Sequence, residues 1–164
     1  EIEALDLVKI IEIKDPTPMV PGAYLTGNIE RVTEYEKGSP ILFIKRGDKM
    51  ELDLFMGEQS IVFNVKGKGL VVLSSCAHAG IVNTVKHAKK MTGIDKVHVV
   101  IGGFHLIGAP IPKIQSTVSD IKAMNPDYIV PMHCSGWEAV TMFEREMPKQ
   151  FIINTAGTQY TFGA

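Results

Sequence analysis

Three histidines stand where strand-like segments end: His78 in Ser75-Cys76-Ala77-His78-Ala79-Gly80, His105 in Gly102-Gly103-Phe104-His105-Leu106, and His133 in Pro131-Met132-His133-Cys134-Ser135-Gly136. One such histidine is most often a surface or capping residue, but three of the five in the chain occupying the same slot point to a site. Neutral imidazole is the commonest ligand for zinc-like metals and a general acid or base near neutral pH. A ring of histidines at one sheet edge suits a metal held by few protein ligands, with a coordination position open to water. Neither Cys-x2-Cys nor His-Glu-x2-His occurs, so local spacing does not specify zinc.

Cys76 and Cys134 lie one or two residues from these histidines and read either as soft ligands or reactive thiols, or, the stronger reading, as small buried residues beneath the site. Gly80 and Gly136 open helices just after two of the histidines. A helix N-terminus there would favour a substrate phosphate or carboxylate, although ordinary strand-to-helix turns explain the glycines nearly as well. His87, among Lys86, Lys89 and Lys90, reads as solvated. His98 reads as a core residue or one lying behind the site, and neither is given a role.

The elements that must position these residues fall into two styles. Up to about Leu73, β-rich runs at Leu7–Ile13, Ile41–Lys45, Lys49–Leu54, Ile61–Val65 and Leu70–Leu73 are separated by turn residues, among them Pro21-Gly22, Gly38-Ser39-Pro40 and Arg46-Gly47-Asp48. Gly67-Lys68-Gly69 between two apolar runs predicts a hairpin. From Ser74 the rhythm becomes strand then helix, which implies parallel strands with crossover helices and ligands at the strands' carboxyl ends. Ile81, Val85, Ala88 and Met91 share a helical face before Gly93; Ile114, Val118 and Ile121 do so before Asn125-Pro126; Ala139, Val140, Phe143 and Met147 do so before Pro148. Lys96–Ile101 and Asp127–Pro131 predict buried strands, and Gln150–Asn154 and Gln159–Phe162 predict two closing strands.

The 164 residues make one domain with one core the starting expectation, and 45% hydrophobic against 21% charged residues is ordinary globular composition. Lys+Arg of 17 against Asp+Glu of 18 disfavours bulk electrostatic nucleic-acid binding. No apolar run approaches the ~20 residues of a membrane helix. An acidic start, Glu-Ile-Glu-Ala, argues against a secretory signal, and two cysteines are too few for a disulfide framework, so the expected location is cytoplasmic. The chain opens at Glu1 without Met and reads as lacking its natural N-terminus.

The three histidine motifs, with Ile81-Val82-Asn83 continuing the first, resemble in order and spacing the metallo-β-lactamase superfamily. They are most similar to its branch of metal-dependent hydrolases and of the ribofuranosyl-aminobenzene phosphate synthase of methanopterin biosynthesis. The segment Pro21 to Thr33, Glu58-Gln59-Ser60-Ile61-Val62-Phe63 and Gly157-Thr158-Gln159-Tyr160 extend the resemblance over nearly the whole chain. It implies an α/β fold, the C-terminal half of an αβ/βα sandwich, with residues 1–164 as a single domain and the N-terminal half absent. It also implies two divalent metal ions, zinc in most relatives, in the intact protein. His78 then resembles the superfamily's fourth histidine ligand and His133 its last. His105 stands near the place of a bridging Asp, as a substitute ligand or, the favoured reading, a substrate-facing catalytic acid. The superfamily's first metal motif, His-x-His-x-Asp-His, does not occur here. Asn28, Gly57 and Ser135 replace the Glu, Asp and Thr common in relatives, which bears on substrate identity.

The leading expectation is therefore a metal-dependent hydrolase or related transferase, a metal-bound hydroxide acting on a small phosphorylated or heteroaromatic metabolite, inactive as this isolated chain. The alternative is a non-catalytic fragment or binding module that requires a separate N-terminal partner chain and exposes an apolar sheet face. A homo-oligomer is compatible with either, while nucleic acid and membrane are not expected partners. A nucleotide-binding domain is disfavoured, since neither Gly-x4-Gly-Lys-Ser/Thr nor Gly-x-Gly-x2-Gly follows a strand.

Overall fold

Turn chemistry starts the sheet. Pro21-Gly22 reverses the chain between β1 (Thr17–Val20) and β2 (Ala23–Leu25), with Gly22 at φ +82°, a region open to glycine. The computed structural model describes residues 9–38 and 41–163. Leu7 and Val8 of the first expected run, and Ser39-Pro40 of one expected turn, lie outside those residues. β3 (Phe43–Arg46) and β4 (Lys49–Leu52) form a separate two-stranded hairpin across Gly47-Asp48. β5 (Ser60–Val65) and β6 (Gly69–Ser74) form the hairpin that Gly67-Lys68-Gly69 predicts, Val65 pairing with Gly69.

The strand and helix alternation then follows as expected: α1 (Ile81–Thr92), β7 (Val97–Gly103), α2 (Ile111–Met124), β8 (Tyr128–Met132), a short 3-10 turn at His133–Ser135, and α3 (Trp137–Glu146). The main sheet runs β1-β2-β5-β6-β7-β8. Its first four strands are antiparallel, and β6, β7 and β8 are parallel. β7 is buried along its whole length, as a strand covered on both faces must be. Gly93 and Asn125 end α1 and α2 in left-handed conformation, where the sequence places the stops.

Side-chain alternation splits the apolar residues between two faces. One face carries Leu70, Val72 and Val100 against Val85 of α1, Ile121 of α2 and Phe143 of α3, so all three helices pack on it. The other carries Val71, Val99, Ile101 and Val130, covered by Ile152, Tyr160 and Phe162. On that second face Phe63 and Leu73 remain 38% and 37% exposed. Among the described residues no helix is long and apolar enough to cross a membrane.

Three expectations are corrected. Residues 9–13 form no strand: Ile10 and Ile11 are exposed, and the Ile13 carbonyl is engaged by the Gln59 side chain. The β1–β2 hairpin instead forms where the prolines read only as turns. Gln150–Asn154 and Gln159–Phe162 are not closing strands. Phe151 makes a single parallel bridge to Ile129, and Tyr160 and Phe162 contribute side chains to the second face rather than backbone to the sheet.

Candidate functional site

The loops after β6, β7 and β8 converge at the carboxyl edge of the parallel strands and are tied to one another by backbone hydrogen bonds. The Gly103 N–H donates to the Ser75 carbonyl at 2.9 Å, and the Leu106 and Ile107 N–H groups both donate to the Cys134 carbonyl at 3.1 Å. The Ser135 hydroxyl donates to the Met132 carbonyl at 2.7 Å and accepts the Phe104 N–H at 3.2 Å. Ala77, His105 and His133 all have positive φ, of 55°, 47° and 51°. Left-handed backbone at three residues with a β-carbon is strain that these cross-links must hold, and such strain clusters at functional sites.

His78 is the most fully organised of the three. Its Nδ1 lies 2.7 Å from Glu58 Oε1, the same oxygen accepts its backbone N–H at 2.9 Å, and Glu58 Oε2 accepts the Ala79 N–H at 2.8 Å. Because a carboxylate accepts, Nδ1 donates in this contact, which is the tautomer that turns Nε2 outward as the lone-pair nitrogen of a neutral imidazole. Phe55 stacks on the ring with centroids 4.2 Å apart, and Arg31 donates to the carbonyls of His78, Glu36 and Leu54, clamping three loops together. A cavity of about 550 Å³ opens beside His78, lined also by Glu58, Phe55 and Ser75 and, from the β3–β4 hairpin, Ile44 and Arg46.

His105 meets His78 edge-on at 4.4 Å between centroids. Its Nδ1 is buried without a partner. Burial, then the charge of His78 and of Lys113, pushes its pKa below the usual histidine value. His133 is exposed on the 3-10 turn, where one of its ring nitrogens and the sulfurs of Cys76 and Cys134 all fall within 4.8 Å of one another. The edge thus carries two contacts among the donor residues: His78 with His105, and His133 with the two cysteines. Both cysteines are half-buried free thiols, and burial pushes the Cys134 thiol up.

The remaining candidates resolve differently from the sequence reading. α1 does present its N-terminus after His78, but a protein carboxylate occupies it. Glu36, 2% exposed, accepts the Val82 N–H at 3.0 Å and the Asn83 N–H at 2.8 Å, and burial raises its pKa against those hydrogen bonds. Gly80 makes room for it, since a β-carbon there would lie 2.3 Å from the Glu36 carboxyl. The substrate anion expected at that helix end has no space. His87 is not solvated: its Nε2 donates to the Thr26 carbonyl at 3.1 Å, and its Nδ1 is buried. His98 is buried and bonded to Asp127 at 2.7 Å, away from the site.

Glu58 and Arg31 enter the sequence reading only as parts of segments that carry the resemblance, without a role, and Glu36 and Phe55 do not enter it. Glu58 precedes His78 by 20 residues, and a lone acid in a Met-Gly-Glu-Gln turn carries no periodic signal of its burial.

No family model matches the sequence. The chain is 38% identical over 141 residues to the 7,8-dihydropterin-6-methyl-4-(beta-D-ribofuranosyl)-aminobenzene-5'-phosphate synthase of Methanocaldococcus jannaschii, covering 84% of this chain and 48% of the relative. It is 29% identical over 129 residues to an uncharacterized protein of the same organism, covering 79% of this chain and 46% of that one. The chain thus spans about half the length of the curated relatives it matches. Among solved structures it is similar to a metal-dependent hydrolase of the β-lactamase superfamily, with a TM-score of 0.80 and 27% identity, covering 95% of this chain and 59% of that one. A mixed sheet with its helices on one face, histidines at the parallel strand ends and these similarities agree: the chain has the fold of a metal-dependent hydrolase of the β-lactamase superfamily and is similar in sequence to the aminobenzene-phosphate synthase.

Proposed function

We propose that the protein of which this chain is part is a metal-dependent hydrolase or related transferase, and that His78 and His133 are the ligands this chain contributes to its divalent metal centre. The observation that carries the reading is the Glu58 carboxylate at 2.7 Å from His78 Nδ1. A carboxylate on one imidazole nitrogen fixes the tautomer and ring orientation that leave the other nitrogen free for a metal. The donor set fits a divalent cation: neutral imidazoles at two places on the edge, one braced and one exposed. A bound divalent ion, zinc by the resemblance, supplies Lewis-acid polarisation and an activated water.

The chain's own residues then divide the remaining work. Glu58 holds His78 in register, Phe55 closes one side of its ring, and Arg31 fixes the main chain behind it. His105 is placed to move a proton at its unpartnered Nδ1 beside His78. The cavity beside His78 sets Phe55 and Ile44 beside the Arg46–Glu51 ion pair, an apolar wall suited to a small substrate with an aromatic ring.

The test is metal content by elemental analysis, with turnover where substrate is available, in His78→Ala and His133→Ala made in the longest chain that expresses. Both variants are expected to lose metal and activity together. Full metal retained in both sinks the reading.

A second reading has its own observation. The second sheet face leaves Phe63 and Leu73 more than a third exposed while every helix packs on the other side. A separate N-terminal partner chain, or a second copy, would cover that face. A chain that is monomeric by light scattering and silent to an apolar dye removes this alternative.

A further inference from the structure

Trp137, the single tryptophan of the chain, is 71% exposed at the start of α3. An exposed apolar ring that stands alone needs no explanation, but Trp137 does not stand alone. It lines a cavity of about 280 Å³ together with Ile153, itself 62% exposed, and with Val140, Asn154 and His133. Trp137 and Val140 are three residues apart and share one face of α3, while Ala139 and Phe143 anchor the helix in the core. The turn that joins this face to His133 is tightly held. Gly136 sits at φ +79°, where a β-carbon would lie 2.7 Å from the Ile107 backbone, and the Ser135 hydroxyl donates to the Met132 carbonyl. The rest of the wall is fixed as well: the Ile152 N–H, just before Ile153, donates to the Ile129 carbonyl of β8 at 3.0 Å, and Asn154 Oδ1 accepts the Tyr160 hydroxyl at 3.1 Å.

We propose that this cavity binds an uncharged, planar aromatic ring of the substrate, stacked on Trp137, and that Trp137 sets the specificity for it. The proposal rests on the function proposed above, in which His133 holds metal, and adds a subsite to the one beside His78. The substrate class is then a molecule that brings a ring to each of the two histidines.

The lining decides the chemistry of the occupant. Among the described residues it contains no Lys, Arg, Asp or Glu, so an anionic or cationic group entering it would lose water without gaining a counter-charge. Trp137, Val140 and Ile153 instead favour apolar surface, and the flat indole favours a second flat ring in offset stacking. Asn154 adds one polar requirement. Its side-chain oxygen is taken by Tyr160, so what the amide offers a ligand is its N–H groups, which suit a ring nitrogen or a carbonyl on the ring edge. The volume admits one ring system and not a drug-sized molecule. Because the indole is carried on the same short turn as His133, the ring is held at a set distance from that ligand, which is the condition for Trp137 to discriminate between substrates and not merely to attract them.

Benzamide, a single uncharged ring bearing a carbonyl, is the probe, titrated against the indole N–H resonance of Trp137 in heteronuclear NMR spectra and assigned by its absence from Trp137→Leu. A saturable shift is expected in the unmodified chain and, undiminished, in His78→Ala. Cyclohexanecarboxamide, which keeps the size and the amide but is not flat, is expected to bind about threefold or more weakly. Benzoate is expected to bind about tenfold or more weakly. Saturation transferred from the protein to benzamide is expected to fall about fivefold in Trp137→Leu and to be largely kept in Trp137→Phe. No saturable shift, an equal response to cyclohexanecarboxamide or benzoate, unchanged transfer in Trp137→Leu, or an indole resonance that moves with protein concentration alone, the mark of a second copy on this face, would each overturn the proposal. The unmodified chain alone decides the first two, so a variant that fails to fold does not shelter it. Metal retained in both His78→Ala and His133→Ala with the benzamide shift intact would sink the metal reading and leave the ring site standing, whereas metal lost in both without any benzamide shift would sink the ring site alone.

Discussion

Glu58 Oε1 accepts both the ring Nδ1–H of His78, at 2.7 Å, and the backbone N–H of the same residue, at 2.9 Å. One carboxylate oxygen thus sets the orientation of the imidazole and the path of the main chain that carries it. Glu58 is 7% exposed at its side chain, so little water competes for these bonds.

This relationship predicts the effect of Glu58→Gln. The amide keeps the shape but replaces one acceptor oxygen with a donor, which must then face the N–H of His78 or of Ala79. Metal affinity at His78 is expected to fall about 10–100-fold, the usual cost of losing such a partner. A competitive metal titration checks it, and equal affinity for the two proteins would show that the carboxylate braces the loop and not the ligand.

Glu36 is a second buried acid whose role is structural. Glu36→Ala leaves the Val82 and Asn83 N–H groups without an acceptor in a site closed to water, at a cost of about 1–3 kcal/mol. Glu36→Gln restores one acceptor and is expected to cost less. The midpoint of urea unfolding is the readout, and an order of Gln worse than Ala would contradict this account. Thr33 belongs to the same cap, since its hydroxyl donates to Glu36 Oε2 at 3.1 Å.

The two acids show where the sequence was legible and where it was not. The histidine motifs stood out because each follows a run of β-branched residues and precedes a helical period, so strand, loop and helix could be placed from local pattern alone. Gly93, Asn125 and Pro148 stopped the helices where expected, for the same local reasons. Glu36 and Glu58 reach the site across 46 and 20 residues, and nothing near them in sequence distinguishes a buried acid from a solvated one. The terminal segment misled for a related reason: Tyr160 and Phe162 have strand-like spacing, yet what they supply is ring packing, centroids 5.7 Å apart, over the second face of the sheet. Period-two pattern reports which side chains are buried together and cannot say whether the backbone joins a ladder.

A pH dependence follows from Asp127, which bonds His98 at 2.7 Å and also pairs with Lys96. Burial works against its charge, but the hydrogen bonds from Lys96 and His98 outweigh that and hold its carboxyl below the usual range. A depressed folded-state pKa contributes stability that is fully present above the unfolded value of about 3.9 and is lost as pH falls through the lower folded value. Asp127→Asn is therefore expected to be less stable near neutral pH, with the gap steady down to about pH 4 and closing as the pH falls further. Unfolding curves across that range measure it, and a gap independent of pH would assign the effect to packing instead.

The last prediction links the core to the site. Phe104, adjacent to His105, is 1% exposed, and its ring meets Phe143 of α3 edge-on at 5.6 Å. Because His105 holds a left-handed backbone conformation at φ +47°, something must fix the loop on either side of it. The Phe104 ring does so on one side, and the Leu106 N–H bonded to the Cys134 carbonyl does so on the other. Phe143→Ala is expected to cost about 3–5 kcal/mol, and Phe143→Leu markedly less, since the latter keeps most of the buried volume. In the leucine variant, which should remain folded, amide exchange at Phe104 to Ile107 is expected to accelerate more than exchange in α1, whose buried residues pack against β6. If the two regions accelerate equally, α3 supports the fold as a whole and has no particular hold on the loop that carries His105.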